Sequence, residues 1–124
     1  MPGISYATRN LILKPIEVEY SFGNGYKLIL KASNDGERLE TVKIIKGSKV
    51  INVPQKEFVG VNSPVLNSVI VAGGKVSSSS IERPRSITIG YGAYQCELSE
   101  CPAKITFEFK NDVFTSSISE LPNQ

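Results

Sequence analysis

Ile16-Glu17-Val18-Glu19-Tyr20-Ser21-Phe22-Gly23-Asn24-Gly25-Tyr26-Lys27-Leu28-Ile29-Leu30-Lys31-Ala32 decides the fold class. From Ile16 to Phe22 apolar and polar residues alternate without a fault, the two-residue period of a half-buried strand. From Tyr26 to Ala32 the same period puts Tyr26, Leu28, Leu30 and Ala32 on one face. Between them Gly23-Asn24-Gly25 forms a three-residue hairpin loop, with glycine where a positive φ is needed. One half-buried hairpin cannot stand alone, so the rest of the chain must supply a second layer.

Further strands are legible on both sides of this hairpin. Lys104 to Phe109 points Ile105, Phe107 and Phe109 inward and Lys104, Thr106 and Glu108 outward. Ile81 to Ile89 and Val113 to Ile118 are weaker versions, and Val50-Ile51-Asn52-Val53 and Val69-Ile70-Val71 are short β-branched runs. The turns between them have their own chemistry. Gly47-Ser48 suits a type II′ turn, and Gly73-Gly74 suggests the same between Val71-Ala72 and Lys75-Val76. Asn111-Asp112 fits type I′, because Asn and Asp tolerate the left-handed region, and Asn34-Asp35-Gly36-Glu37 is a further turn. The best helical candidate, Asp35 to Glu40, amounts to one turn at most. Ser77-Ser78-Ser79-Ser80 reads as an edge strand or an exposed loop. The expectation is an all-β chain folded as an antiparallel β-sandwich, immunoglobulin-like or a related Greek key, with a small β-barrel as the alternative.

The 124 residues fit one domain, with an ordered core over about 9–118 and loosely held ends. The chain is 40% hydrophobic and 21% charged, an ordinary globular balance. Its 14 basic and 12 acidic residues are interleaved and leave a net charge of +2, which points away from nucleic acid as a partner. No apolar run is long enough for a transmembrane helix, so no membrane span is expected. Met1 to Tyr6 has neither the charged n-region nor the apolar h-region of a signal peptide. The chain is then either a cytosolic product or an exported domain whose signal or anchor has been removed.

The cysteines bear on that choice. Cys96 and Cys101 enclose Glu97-Leu98-Ser99-Glu100 in a short loop between two strands, which places them within disulfide reach at a hairpin end. A bridge favours a secreted or periplasmic location over a cytoplasmic one. Two cysteines and no histidine cannot make a structural zinc site, and their spacing is not that of a thiol oxidoreductase.

The lack of histidine also removes Ser-His-Asp and Cys-His nucleophilic systems and the H-E-x-x-H zinc hydrolases. A carboxylate pair could still serve a glycosidase, but Glu17 and Glu19 lie on the strand face opposite Val18 and Tyr20 and read as solvated. Ala72-Gly73-Gly74-Lys75 lacks the first glycine and the Ser/Thr of a phosphate loop. Asn34 to Glu37 is only a fragment of a calcium loop. No cofactor, metal site or catalytic residue is expected.

Two segments carry binding chemistry. Gly90-Tyr91-Gly92-Ala93-Tyr94 leads into the cysteine loop, and Tyr91, Tyr94 and Leu98 are candidate contacts for a partner. The alternative for these glycines is a β-bulge beside one core tyrosine. Glu82-Arg83-Pro84-Arg85 offers Arg83 and Arg85 for carboxylate contacts, or is simply a solvated loop. These features favour a non-enzymatic exported protein that binds another protein, of inhibitor or immunity type. The alternatives are an accessory subunit of an envelope or virion assembly, and a small carbohydrate-binding module using its tyrosines.

Overall fold

In the computed structural model the alternating segments form two four-stranded antiparallel sheets packed face to face. The structure describes residues 16–121 apart from 22, 74, 75, 78, 79, 82 and 94. Strands β1 (Glu17–Ser21), β2 (Tyr26–Ala32), β3 (Leu39–Lys46) and β4 (Lys49–Asn52) make the first sheet in that order. The second runs β10 (Val113–Glu120), β9 (Ala103–Lys110), β8 (Pro84–Tyr91), β5 (Val65–Gly73). A two-stranded pair, β6 (Val76–Ser77) and β7 (Ser80–Ile81), lies between β5 and β8 in sequence.

The period-two faces form the core. Tyr26, Leu28, Leu30 and Ala32 of β2 and Ile105, Phe107 and Phe109 of β9 are all buried, as are Val42, Ile44, Ile87 and Ile89. Phe58 closes one end of this layer, edge-on to Phe107 with centroids 6.0 Å apart. Gly47 lies at φ 60, and Asn111 and Asp112 both take positive φ at 54 and 64, the sign patterns of type II′ and type I′ turns. Among the described residues there is no α-helix, only short 3-10 turns at 23–25, 55–58 and 98–100.

Each sheet is a meander, and the chain changes sheet once, through residues 53–64. Val53, Phe58 and Val61 of this crossover are buried, and it is tied to the first sheet by Val53 N–H to Val42 O (3.0 Å) and Leu39 N–H to Val61 O (3.2 Å). It carries the chain from β4, beside β10, to β5, beside β1. The Tyr20 hydroxyl of β1 donates to Leu66 O of β5 at 2.6 Å. Strand order around the sandwich is thus 5-1-2-3-4, a Greek-key return drawn across two sheets. No ladder joins β1 to β5 or β4 to β10 among the described residues, so the two sheets are a sandwich and not a closed barrel.

Three local expectations change. Gly73 does not begin a hairpin turn, because it continues β5 and pairs with Pro84. In the serine segment Ser77 pairs with Ser80 between the short strands β6 and β7, and Ser78 and Ser79 lie outside the described residues. The β8–β9 register is unbroken through Gly90, and the irregularity opposite it belongs to β5, between Val65 and Val69.

Candidate functional site

Val65 pairs with Gly90 and Val69 with Ile89, so Leu66, Asn67 and Ser68 form a loop-out within β5. Leu66 turns into the core, while Asn67 is exposed. Ser68 donates to the carbonyl of Cys96 at 2.5 Å, which joins the bulge to the loop connecting β8 and β9. Between bulge and loop lies a groove of about 590 Å³, with Pro64, Leu66, Ser68 and Ile70 on one wall and Gln95 and Leu98 on the other. That volume falls within the usual range for ligand sites.

The loop wall is held at several points. Cys96 and Cys101 are at disulfide distance, with sulfurs 2.08 Å and Cα atoms 5.1 Å apart. Both lie in the connection beyond Tyr91↔Ala103, the last pair of the ladder, and not within the strands. Cys101 is buried against Gly90 so closely that a Cβ there would stand 2.3 Å from its sulfur and 3.2 Å from Leu98 Cδ1. Gly90 is therefore glycine because the disulfide occupies the space of a side chain. Gly92, at φ 91, turns the chain out of β8, and its N–H points to Asn62 O and Ser63 O at 3.0 and 3.2 Å. Glu100 N–H to Glu97 O at 2.7 Å closes the 3-10 turn.

Two residues near this groove hold left-handed backbone without the side-chain chemistry that favours it: Gln95 at φ 58 and Ser63 at φ 47. Elsewhere positive φ falls on Asn, Asp or Gly. Such conformations cost on the order of 1 kcal/mol or more and gather at functional segments.

The structure separates the residues singled out from sequence. Leu98 is partly buried, packs toward Gly90 and lines the groove. Tyr91 is a core residue, only 8% exposed, which leaves little ring for a partner. Tyr94 lies outside the described residues. Arg83 and Arg85 sit at the other end of β8, six or more residues from Tyr91, or about 20 Å of strand. There Arg83 Nε lies 3.6 Å from Asp112 Oδ1, while Arg85 is exposed. Asp112 also receives the Tyr26 hydroxyl at 3.1 Å and Lys49 Nζ at 3.5 Å. A single small ligand cannot reach both ends. The bulge wall was missed in sequence. Its signal is the polar pair Asn67-Ser68, which interrupts the apolar run from Val65 to Val71.

The other motifs resolve as structure. Glu17 and Glu19 are exposed, and Glu19 lies 3.4 Å from Lys27 Nζ. The Asp35 carboxylate accepts from the Ser33 hydroxyl (2.5 Å) and the Glu37 N–H (3.0 Å). The Ser33 hydroxyl oxygen in turn accepts from the Glu37 and Arg38 amides. The Ser33 hydroxyl, and secondarily the Glu37 amide, hold Asp35 below its ordinary pKa. Among the described residues no helix is long and apolar enough to cross a membrane, and no three Cys, Asp or Glu side chains converge as metal ligands would. No family model, curated protein or solved structure matches this chain.

Proposed function

We propose that this chain is a non-enzymatic binding protein that holds a segment of another protein in the groove between the β5 bulge and the disulfide loop. The observation that carries the reading is the fixed loop wall. A wall stapled by a disulfide, seated on Gly90 and tied to Ser68 is ordered before binding, so little ordering entropy is lost on contact. The opposite wall is a lateral strand whose residues 66–68 stand outside the ladder, and extended segments commonly dock along such edges. Glu97 is the charged residue of the lining, which favours a partner segment carrying Lys or Arg beside an aliphatic side chain.

The same disulfide supports an exported protein, because such bridges persist in oxidising compartments. An inhibitor or immunity role suits a small rigid module of this kind. Burial of Tyr26 and Tyr91 and the Tyr20 hydroxyl bond to Leu66 O support protein over sugar, since these rings are not presented for stacking. An accessory subunit of an assembly is the second reading, favoured by the exposed isoleucines Ile70 and Ile118 on the outer face of the second sheet.

Affinity capture from the source cells with wild type, Leu98→Asp and Asn67→Trp tests the proposal. One protein should be retained by wild type and by a Val50→Asp control on the first sheet, and lost with both groove variants. Retention by all four proteins would overturn it.

A further inference from the structure

We propose that the outer face of the second sheet is a self-association surface, on which a second copy of this chain stacks face to face with its strands antiparallel. The register places a row across all four strands on this face: Ile70 beside Thr88, Thr88 beside Thr106, Thr106 beside Ile118. Ile70 and Ile118 are 56% and 51% exposed although they point the same way from the two lateral strands. Thr88 and Thr106 hydroxyls bond each other at 2.8 Å, so covering them strands less hydrogen-bonding capacity than covering two free hydroxyls. The face is thus apolar at both margins and internally paired at its centre, with a concave end beside Ala72, Ser86 and Glu108.

Charge selects the occupant and its orientation. On one side of the central row lie Ala72, Ser86, Glu108 and Ser116, and on the other lie Gly90, Lys104 and Glu120. Rotation by a two-fold axis lying in the interface, across the strands and along the central row, exchanges these two levels and sets each strand over its own copy. Lys104 of one protomer then faces Glu108 of its partner, twice over, and Glu120 faces Ser116. Ile70 meets Ile70 and Ile118 meets Ile118. The same rotation brings the sheet end bearing Arg85 and Lys110 over the end whose loop bears Glu97 and Glu100. Turning the copy the other way sets Lys110 toward the start of its partner's β8, where Arg85 lies. An isologous pairing of this kind requires one patch to complement itself, and this patch does so only in the antiparallel arrangement.

Size predicts a weak dimer. Four strands about 4.8 Å apart and strands eight residues long give a face of roughly 500 Å² per copy, or about 1,000 Å² in total. This is at the floor of specific interfaces, so Kd should be weaker than about 1 μM.

Sedimentation equilibrium of the full chain from about 10 μM to about 1 mM, at low and high salt, reads the equilibrium. A monomer–dimer equilibrium that weakens with salt is expected. Ile118→Lys, and independently Ile70→Lys on the opposite lateral strand, should each raise Kd at least about tenfold. Lys104→Glu and Glu108→Lys should each do the same, and the double exchange should return Kd to within about threefold of wild type, with melting temperatures checking that each variant folds. A monomer throughout the range overturns the proposal, as does a dimer indifferent to both isoleucine changes. Single exchanges that weaken without rescue by the double exchange overturn the antiparallel arrangement.

Discussion

Replacing Gly90 with alanine tests how the disulfide loop is anchored. The new Cβ would stand 2.3 Å from Cys101 Sγ, 3.0 Å from Cys101 Cβ and 3.2 Å from Leu98 Cδ1. Non-bonded heavy atoms prefer about 3.5–4.0 Å, so the sulfur must retreat by more than about 1 Å. It cannot swing as a free side chain does, because it is bonded to Cys96, whose carbonyl is held by Ser68. Overpacking of this kind costs about 1–3 kcal/mol. Alanine recovers about 0.5–1 kcal/mol over glycine in a strand, through lower chain entropy in the unfolded state. The net loss is then at most about 2.5 kcal/mol and centred on about 1 kcal/mol, or about 4 °C in Tm for a domain of this size. Urea unfolding with coincident fluorescence and circular dichroism measures it. The decisive comparison is the same change in a Cys96→Ala/Cys101→Ala background. With the sulfur gone, the penalty should fall below about 0.5 kcal/mol or change sign. Equal penalties in both backgrounds would refute the idea that Gly90 exists to seat the disulfide.

Replacing both cysteines with alanine should cost about 2 kcal/mol, because the closed ring is small, and the difference in urea unfolding between oxidised and reduced wild type should match that cost. Burial raises the Tyr20 phenol above its ordinary pKa of 10.0. The linked stability is complete below that value and is lost as pH climbs from there through the raised folded value. Tyr20→Phe should therefore flatten the alkaline limb of Tm against pH, and should lower stability near neutrality by about 1–2 kcal/mol for the unpaired Leu66 carbonyl. An unchanged alkaline limb would contradict it. Asp35 has the opposite sign: its carboxyl is depressed below 3.8, chiefly by the Ser33 hydroxyl. Its contribution is present above that value and is lost as pH falls through the lowered folded one. Asp35→Asn should shallow the acid limb while leaving the alkaline limb alone, and the reverse pattern would count against the turn's hydrogen bonds.

Where a strand keeps its register, its sequence shows it. Strand β2 pairs without a break with β1, and β9 with β8, over the stretches whose alternation is cleanest, and their inward faces are the buried ones. Strand β3 did not show in the alternation. Lys31 pairs with Thr41 and Ala32 with Leu39, so Glu40 is an extra residue that resets the phase, and Leu39 and Val42 both point inward though three apart. The bulge in β5 hides its strand in the same way, and with it half of the groove. Gly73 misled because glycine marks a turn and a tolerated strand position equally well. The disulfide was readable because two cysteines so near in sequence have few geometries open to them. That Tyr91 is a core residue was not, since its burial depends on β8 running on through it to Tyr91↔Ala103.

The two ends of the sandwich are closed by different physics, and this bears on where a partner can bind. At the end carrying Asp112, Tyr26, Lys49 and Arg83 converge on one mostly buried carboxylate, and Lys46 Nζ stands 4.3 Å from the centre of the Tyr26 ring. Those groups satisfy one another, and a partner that engaged Arg83 would have to displace the Asp112 contact first. At the opposite end the polar contacts are mainly backbone amides and one serine, and the loop is held by a covalent bond and close packing. Its side chains at Asn67 and Glu97 are exposed and are consequently not committed to holding the fold. Contact chemistry needs groups that are fixed in position yet free of internal obligations, and among the described residues Asn67 and Glu97 at the disulfide end fit that description. Arg85, exposed at the far end, enters instead through the proposed dimer, which sets its sheet end over the loop bearing Glu97 and Glu100.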